Sequence, residues 1–143
     1  MSGRPTLRGR RQEAFLALMV AHDALQRRTQ EFMKGFGLTV HQYNVLRILR
    51  GAGPAGKPSQ SIAADMISKV PDVTRLVDRL SAAGYVTRGP DPDDRRVVRV
   101  RILPKGLELL AAMDEPIHDL HALALGDLTA SELDTLLALL RRL

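Results

Sequence analysis

The 143-residue chain is 45% apolar and 26% charged, which suits one folded, soluble domain. It has no cysteine, so disulfides, thiolate metal ligands and thiol redox chemistry are excluded. The net charge of +5 is uneven: residues 106–143 carry seven acids against two arginines, a local −5, which leaves +10 on residues 1–105. A basic body with an acidic end points to one surface that faces a polyanion and another that does not. No run reaches the roughly 18–20 apolar residues of a membrane span, and Met1 to Arg8 lacks a signal-peptide core. The chain is therefore expected in the cytoplasm, with no membrane partner.

Residues 1–11, with Arg4, Arg8, Arg10 and Arg11, are expected to form a flexible arm. From about Gln12 to Lys34, Phe15, Leu18, His22, Leu25, Thr29 and Phe32 recur at three- and four-residue steps. That spacing predicts an amphipathic helix longer than a compact domain of this size needs. Gly35 and Gly37 end it. Thr39 caps a second helix, with Tyr43, Leu46 and Leu49 inward and Arg47 and Arg50 outward. Gly51 to Gly56 holds three glycines and a proline in six residues and reads as a loop. Pro58 and Ser59 open a short helix, Ser61 to Ile67, whose Ile62, Ala63 and Met66 face the core. Pro71 is expected in the first turn of the next helix, residues 70–83, where its missing N–H is harmless. Val73, Leu76, Val77 and Leu80 bury one face of that helix, and Gly84 stops it.

Tyr85–Arg88 and Val97–Ile102 alternate like strands around the turn-rich Gly89–Asp94. Beyond Pro104, Leu107, Leu110, Met113, Ile117, Leu120, Leu123 and Leu125 mark a further helix, which Pro116 should kink or divide. Thr129 to Glu132 is a capping box, opening a leucine-rich helix that runs to Leu143.

Two short helices joined by a tight turn and followed by a hairpin form the arrangement in which the second helix enters the DNA major groove. The face of helix 70–83 opposite its apolar side shows Asp72, Arg75 and Arg79, with Thr74 and Lys69 near its start. Arg75 is the candidate base reader, because a guanidinium can bond guanine O6 and N7 together, worth ~1–3 kcal/mol of discrimination. Thr74 or Asp72 would refine the register, and Lys69 and Arg79 suit phosphates. In the hairpin, Asp93 and Asp94 precede Arg95 and Arg96. One arginine is expected to pair with these acids and stiffen the wing while the other extends into the minor groove, where a narrow A·T tract favours it. The fold class is thus mainly α with a small β-wing, a winged helix-turn-helix with long terminal helices.

On Gln42–Leu49, Ile62–Met66, Val73–Leu80, Gly84–Val86 and Asp91–Arg96, with Lys105–Gly106 and the leucines that follow, the chain resembles the MarR family, the multiple-antibiotic-resistance type regulators. The match runs in order from about residue 12 to the end. The resemblance implies one MarR-like domain over residues 1–143. Within it, residues 39–103 would form the winged lobe, and residues 12–34 and 104–143 the dimerisation helices of a homodimer. Helix 70–83 would be the recognition helix, with Pro71, Asp72, Thr74 and Arg75 at its leading edge. Arg95 and Arg96 would form the wing tip, supported by Asp91, Asp93 and Asp94, and Arg96 is preferred for the minor groove.

The partners so implied are double-stranded DNA, a second copy of the chain and a small-molecule effector. Such dimers bind pseudo-palindromic sites with halves about one turn apart. Many members are repressors released by small phenolic or other aromatic ligands held between stem and lobe. Peroxide sensing through cysteine is closed to this chain. Two departures stand near the hinge that effectors act on: a rather long loop 51–58, and Leu103–Pro104 in place of a threonine-led helix start.

His22 and Tyr43 are the candidate effector-pocket residues, although interface packing for His22 and core packing for Tyr43 are the better readings of their faces. His41 reads as a surface residue. His118 and His121, even with Asp114, are too few ligands for a metal. There is no phosphate loop, no Gly-x-Ser-x-Gly and no apolar carboxylate pair, so neither an enzyme nor a cofactor is expected. The rival is a helical protein-interaction module that no longer reads DNA, and Arg75→Ala separates the two.

Overall fold

The computed structural model describes residues 6–143, which form six helices and one three-stranded sheet. Helix α1 spans Leu7–Gly35 and begins five residues before the expected start. Thr6 sets that start: its hydroxyl accepts the Gly9 N–H at 3.2 Å, satisfying one of the orphan donors of the first turn. Arg8, Arg10 and Arg11 are therefore helical rather than part of a flexible arm; Arg4 lies outside the described residues. Met33 is the buried residue of this long helix.

Helix α2 (Val40–Ala52) opens with a capping box in which Thr39 and Gln42 each bond the other's backbone N–H. Val45, Leu46 and Leu49 are fully buried, and Tyr43 is half-buried. Arg50, expected to point outward, instead reaches Asp114. The stretch read as a loop runs into a strand: β1 (Lys57–Pro58) pairs antiparallel with residues 99 and 100. Its two residues carry no alternation to betray a strand, and Pro58 is tolerated because β1 is an edge. Gly56, at φ +67°, leads into it; a Cβ there would lie 2.1 Å from the Val100 carbonyl oxygen.

Helix α3 (Ser59–Asp65) begins two residues earlier than expected, with Ile62 and Met66 buried and Ala63 exposed. Ile62 marks the inward face of α3 and Ala63 lies off it; Met66, in extended backbone, ends the helix and is buried beyond it. Helix α4 (Val73–Ala82) starts later than expected, because Asp72 is its cap: the carboxylate accepts the Arg75 N–H at 2.9 Å. Pro71 thus precedes the helix instead of sitting in its first turn. Val73, Val77 and Leu80 are buried. Gly84, at φ +80°, turns the chain out, while the Lys105 ammonium donates to the Ala83 carbonyl at 2.7 Å and lies 4.9 Å over the Tyr85 ring.

Strands β2 (Val86–Pro90) and β3 (Val98–Ile102) pair from Val86↔Ile102 to Pro90↔Val98, giving sheet order β1-β3-β2. Helix α5 (Pro104–Leu125) runs undivided through Pro116, since Met113 and Ile117 on either side are anchored in the core. Helix α6 (Ala130–Leu140) has the expected capping box at Thr129 and Glu132, and ends three residues short of Leu143. The core joins Leu46 and Leu49 of α2, Ile62 of α3, Leu80 of α4, Val86 and Val100 of the sheet, and Leu110 and Met113 of α5. The terminal helices differ from this centre. Phe15 is 63% exposed and Leu123 76%, and Leu16, Met19, Leu137 and Leu139 are exposed with them. Apolar area of that extent is unusual on a monomer surface.

Candidate nucleic-acid interface and the adjoining cavity

Helix α4 spends Val73, Val77 and Leu80 on the core, so its other face must look to solvent. Thr74, Arg75 and Arg79 are exposed there, and Lys69, Pro71 and Asp72 are exposed just before it. Asp78 shares the outer surface, but it ion-pairs with Arg88 of β2. This neutralises the acid and ties the wing to the helix. The sequence pattern does not single out Arg88; its place in an alternating strand is the available signal. A groove of about 260 Å³ between α4 and the wing has Thr74, Gln60 and Ser59 on one side and Arg88, Arg96 and Val98 on the other. Thr74 of the recognition-helix candidates and Arg96 of the wing candidates therefore share one concave surface.

The wing is held by its carboxylates. Asp91, only 6% exposed, accepts the Asp93 N–H at 2.9 Å and the Arg99 Nε–H at 2.6 Å. These two bonds, in that order, hold its carboxyl below the usual aspartate range. Arg99 also donates from Nη1 to the Ala55 and Gly56 carbonyls, each at 3.2 Å, lacing the wing to the loop before β1. Arg99 too is silent in the sequence, because its partner lies eight residues away across a turn.

Asp94 accepts the Arg96 backbone N–H at 3.0 Å and its Nε and Nη2 at 3.1 and 3.2 Å. The Arg96 side chain is the larger cause that lowers the Asp94 pKa, and the Arg96 N–H the second. Asp93 enters through its backbone N–H. The sequence divides the two arginines into one that pairs and one that inserts, with Arg96 preferred for insertion. The structure gives the pair to Arg96, so both expectations fall on one residue. The two-residue Asx turn at Asp94 brings this guanidinium back onto the same carboxylate. Even so, the Arg96 side chain is 90% exposed and its Nη1 has no partner among the described residues. Arg95 is exposed beside it.

On the far side of the helix-turn-helix, a cavity of about 340 Å³ lies between α1 (Thr29, Met33), α2 (Val40, His41, Tyr43, Asn44, Arg47), the turn after α3 (Ile67, Ser68) and α5 (Ile117, Leu120, His121). Tyr43 lines it. His22 does not: it is exposed on α1, two turns before Thr29. His41, read as a surface residue, is exposed and also stands at the cavity wall. Asn44 is 3% exposed; its Oδ1 accepts the Ile67 N–H at 3.1 Å, while its buried Nδ2 has no partner among the described residues. A buried amide with unused donors is costly unless something occupies it. The signal in the sequence is one asparagine among Tyr43, Val45 and Leu46. Nearby, the Arg50 guanidinium grips Asp114 with three contacts of 3.0 Å. The His118 and His121 rings stand edge to face at 6.4 Å, and no group of three or more His, Asp or Glu side chains among the described residues could hold a metal. No helix among those residues is long and apolar enough to cross a membrane.

Comparison with known proteins agrees with this geometry. The MarR family pattern matches residues 38–98, from the start of α2 into β3. The chain is 32% identical over 118 residues to the multiple antibiotic resistance protein MarR of Salmonella typhimurium, covering 78% of this chain and 77% of that protein. It is 35% identical over 106 residues to the HTH-type transcriptional repressor NicR of Pseudomonas putida, covering 74% and 66%. Its fold superposes with TM-score 0.82, at 26% identity and over 96% and 97% of the two chains, on a cysteine-to-serine mutant of MarR from Escherichia coli complexed with operator DNA. The chain belongs to the MarR family of DNA-binding, winged-helix transcriptional regulators.

Proposed function

We propose that this chain is a homodimeric repressor that binds a pseudo-palindromic operator in the cytoplasm and is released by a small aromatic ligand. The observation that carries the reading is the shared groove: Thr74 on α4 faces a wing that presents Arg96, with Arg75 and Arg79 exposed on the same helix. A helix of this kind suits the major groove and the wing the adjacent minor groove. Arg75 reads a base edge, with Thr74 beside it. Lys69 and Arg79 take phosphates. Pro71 and Asp72 fix where the helix begins. Arg96 enters the minor groove with its fork already oriented by Asp94, and an exposed pair of that kind is weak enough to yield to a stronger anionic field. Arg95 contacts the flanking backbone, while Asp91 and Asp93 shape the turn beneath. In this reading residues 39–103 are the DNA-binding lobe, and the terminal helices form the stem, their apolar faces covered by a second copy. A relative named as a repressor supports the direction of control.

The cavity between α1, α2 and α5 is the effector site, with Tyr43 to stack and the Asn44 amide to donate. His22, remote from it, belongs to the dimer face. The decisive experiment is selection from a random duplex pool at about 0.15 M salt, where non-specific binding is weak. An enriched inverted repeat of about 16–20 bp, with half-sites one turn apart, is expected. Recovery of unselected DNA alone would replace this reading with a protein-interaction module. Addition of phenolic ligands to the selected operator then tests release.

A further inference from the structure

We infer that the Arg50–Asp114 pair is a fulcrum between lobe and stem that determines which half-site spacing the dimer accepts; this rests on the operator-binding reading above. The pair joins α2 to α5 across 64 residues of sequence. It is bidentate, with three N–O contacts of 3.0 Å, and a guanidinium–carboxylate fork fixes orientation as well as distance. Its side chains are 36% and 46% exposed, so its contribution to stability is small and its geometric role stands out.

Position makes it a fulcrum. Arg50 lies one turn beyond Arg47 on α2, and Asp114 one turn before Ile117 on α5. Arg47 and Ile117 both line the cavity, so the pair closes one end of the seam that the cavity occupies. Between Asp114 and Ile117 stands Pro116, which has no N–H to give the Ala112 carbonyl, and this leaves α5 least stiff at that point. Leu110 and Met113 upstream, and Ile117 just downstream, belong to the lobe core; further on, Leu123 is exposed. The part of α5 after Pro116 forms the cavity wall through Ile117, Leu120 and His121. Any widening of the cavity therefore turns the stem part of α5 about the pinned point, and α4 moves with the lobe.

The test compares wild type, Asp114→Ala, Asp114→Asn and the swap of Arg50→Asp with Asp114→Arg. Each dimer of the 143-residue chain is titrated on the selected operator, on duplexes with the half-sites moved one base pair closer or further apart, and on a single half-site. Wild type is expected to lose about tenfold or more on either shifted duplex, a typical coupling between sites. Asp114→Ala and Asp114→Asn are expected to lose much less on the shifted duplexes. Single half-site binding and base preference should stay unchanged, and the swap should restore the wild-type spacing profile. A pair that only stabilised the fold would lower Tm and leave the spacing profile alone. An unchanged profile in both single variants, or no recovery in the swap, overturns the inference. If wild type selects no operator, the operator-binding reading itself fails and takes this one with it.

Discussion

Arg99 Nε lies 2.6 Å from the Asp91 carboxylate at the root of the wing, and the same guanidinium holds the Ala55 and Gly56 carbonyls. One side chain thereby fastens the wing turn to the loop between α2 and β1. Arg99→Ala leaves Asp91 buried without its counter-charge and frees two carbonyls. We expect Tm to fall by several degrees, against almost no change for Arg96→Ala, whose side chain is exposed. Thermal unfolding of the two variants side by side checks the order, and equal shifts would refute it.

Acid should weaken the protein through its wing and its last helix. Asp91, Asp94 and Glu132 are all held below their ordinary carboxylate values; for Glu132 the first cause is the Thr129 N–H and the second its hydroxyl. A folded-state pKa below the unfolded one means that stability is fully present above the unfolded value. It is lost as pH falls through the folded one. Tm should accordingly be level from neutral pH down to about 5 and decline below about 4, where free carboxyls titrate. In Arg99→Ala the decline should be shallower, because one cause of the Asp91 shift is gone. A scan of Tm against pH for both proteins reads this directly.

Arg75 and Lys69 should fail differently. Arg75→Ala is expected to cost ~1–3 kcal/mol on the operator and to relax preference at one base pair per half-site. Lys69→Ala should weaken all sequences alike and reduce the slope of log K against log salt by about one for each phosphate no longer neutralised. Binding titrations across salt and across single-base operator variants separate the two.

Glycine substitutions divide by local geometry. At Gly56 a Cβ would stand 2.1 Å from the Val100 carbonyl oxygen, and at Gly106 it would stand 2.6 Å from the Tyr85 carbonyl oxygen. Both Gly→Ala changes force the backbone apart and should cost at least ~1–3 kcal/mol. Gly51 is helical with nothing within 4 Å, so Gly51→Ala should stabilise by ~0.4–1 kcal/mol. Denaturant unfolding of the three variants tests the contrast.

Much of the wing turn, Asp91 to Arg96, was legible because Asx turns act within two residues of sequence: Asp91 with Asp93, and Asp94 with Arg96. The capping box at Thr129 and the cap at Thr39 are legible for the same reason, while the Gln42 half of the Thr39 box emerges only in the structure. The sequence pattern starts α4 three residues early, because Pro71 and Asp72 both suit a helix opening and the Arg75 N–H decides between them. Strand β1 was invisible, since two residues have no period and their partners lie about forty residues on.

By itself the sequence determined the kind of protein: helix periods, caps, the Arg-bearing face of α4 and the acidic–basic wing turn are local patterns, set by neighbours within a few residues. Tertiary structure alone decided which polar groups distant in sequence meet. Arg50 looked like surface and pairs with Asp114; Arg99 looked like one arginine of an alternating strand and anchors the wing; Asn44 looked like one polar residue among apolar ones and keeps an unused donor beside a cavity. Those pairings join Asn44 to Ile67, Arg50 to Asp114 and Asp91 to Arg99, and no periodicity encodes them. They exist because burying the apolar faces of α2, α5 and the sheet brings these groups within hydrogen-bond reach, and at the buried Asn44 and Asp91 low exposure makes partnership, or its absence, matter.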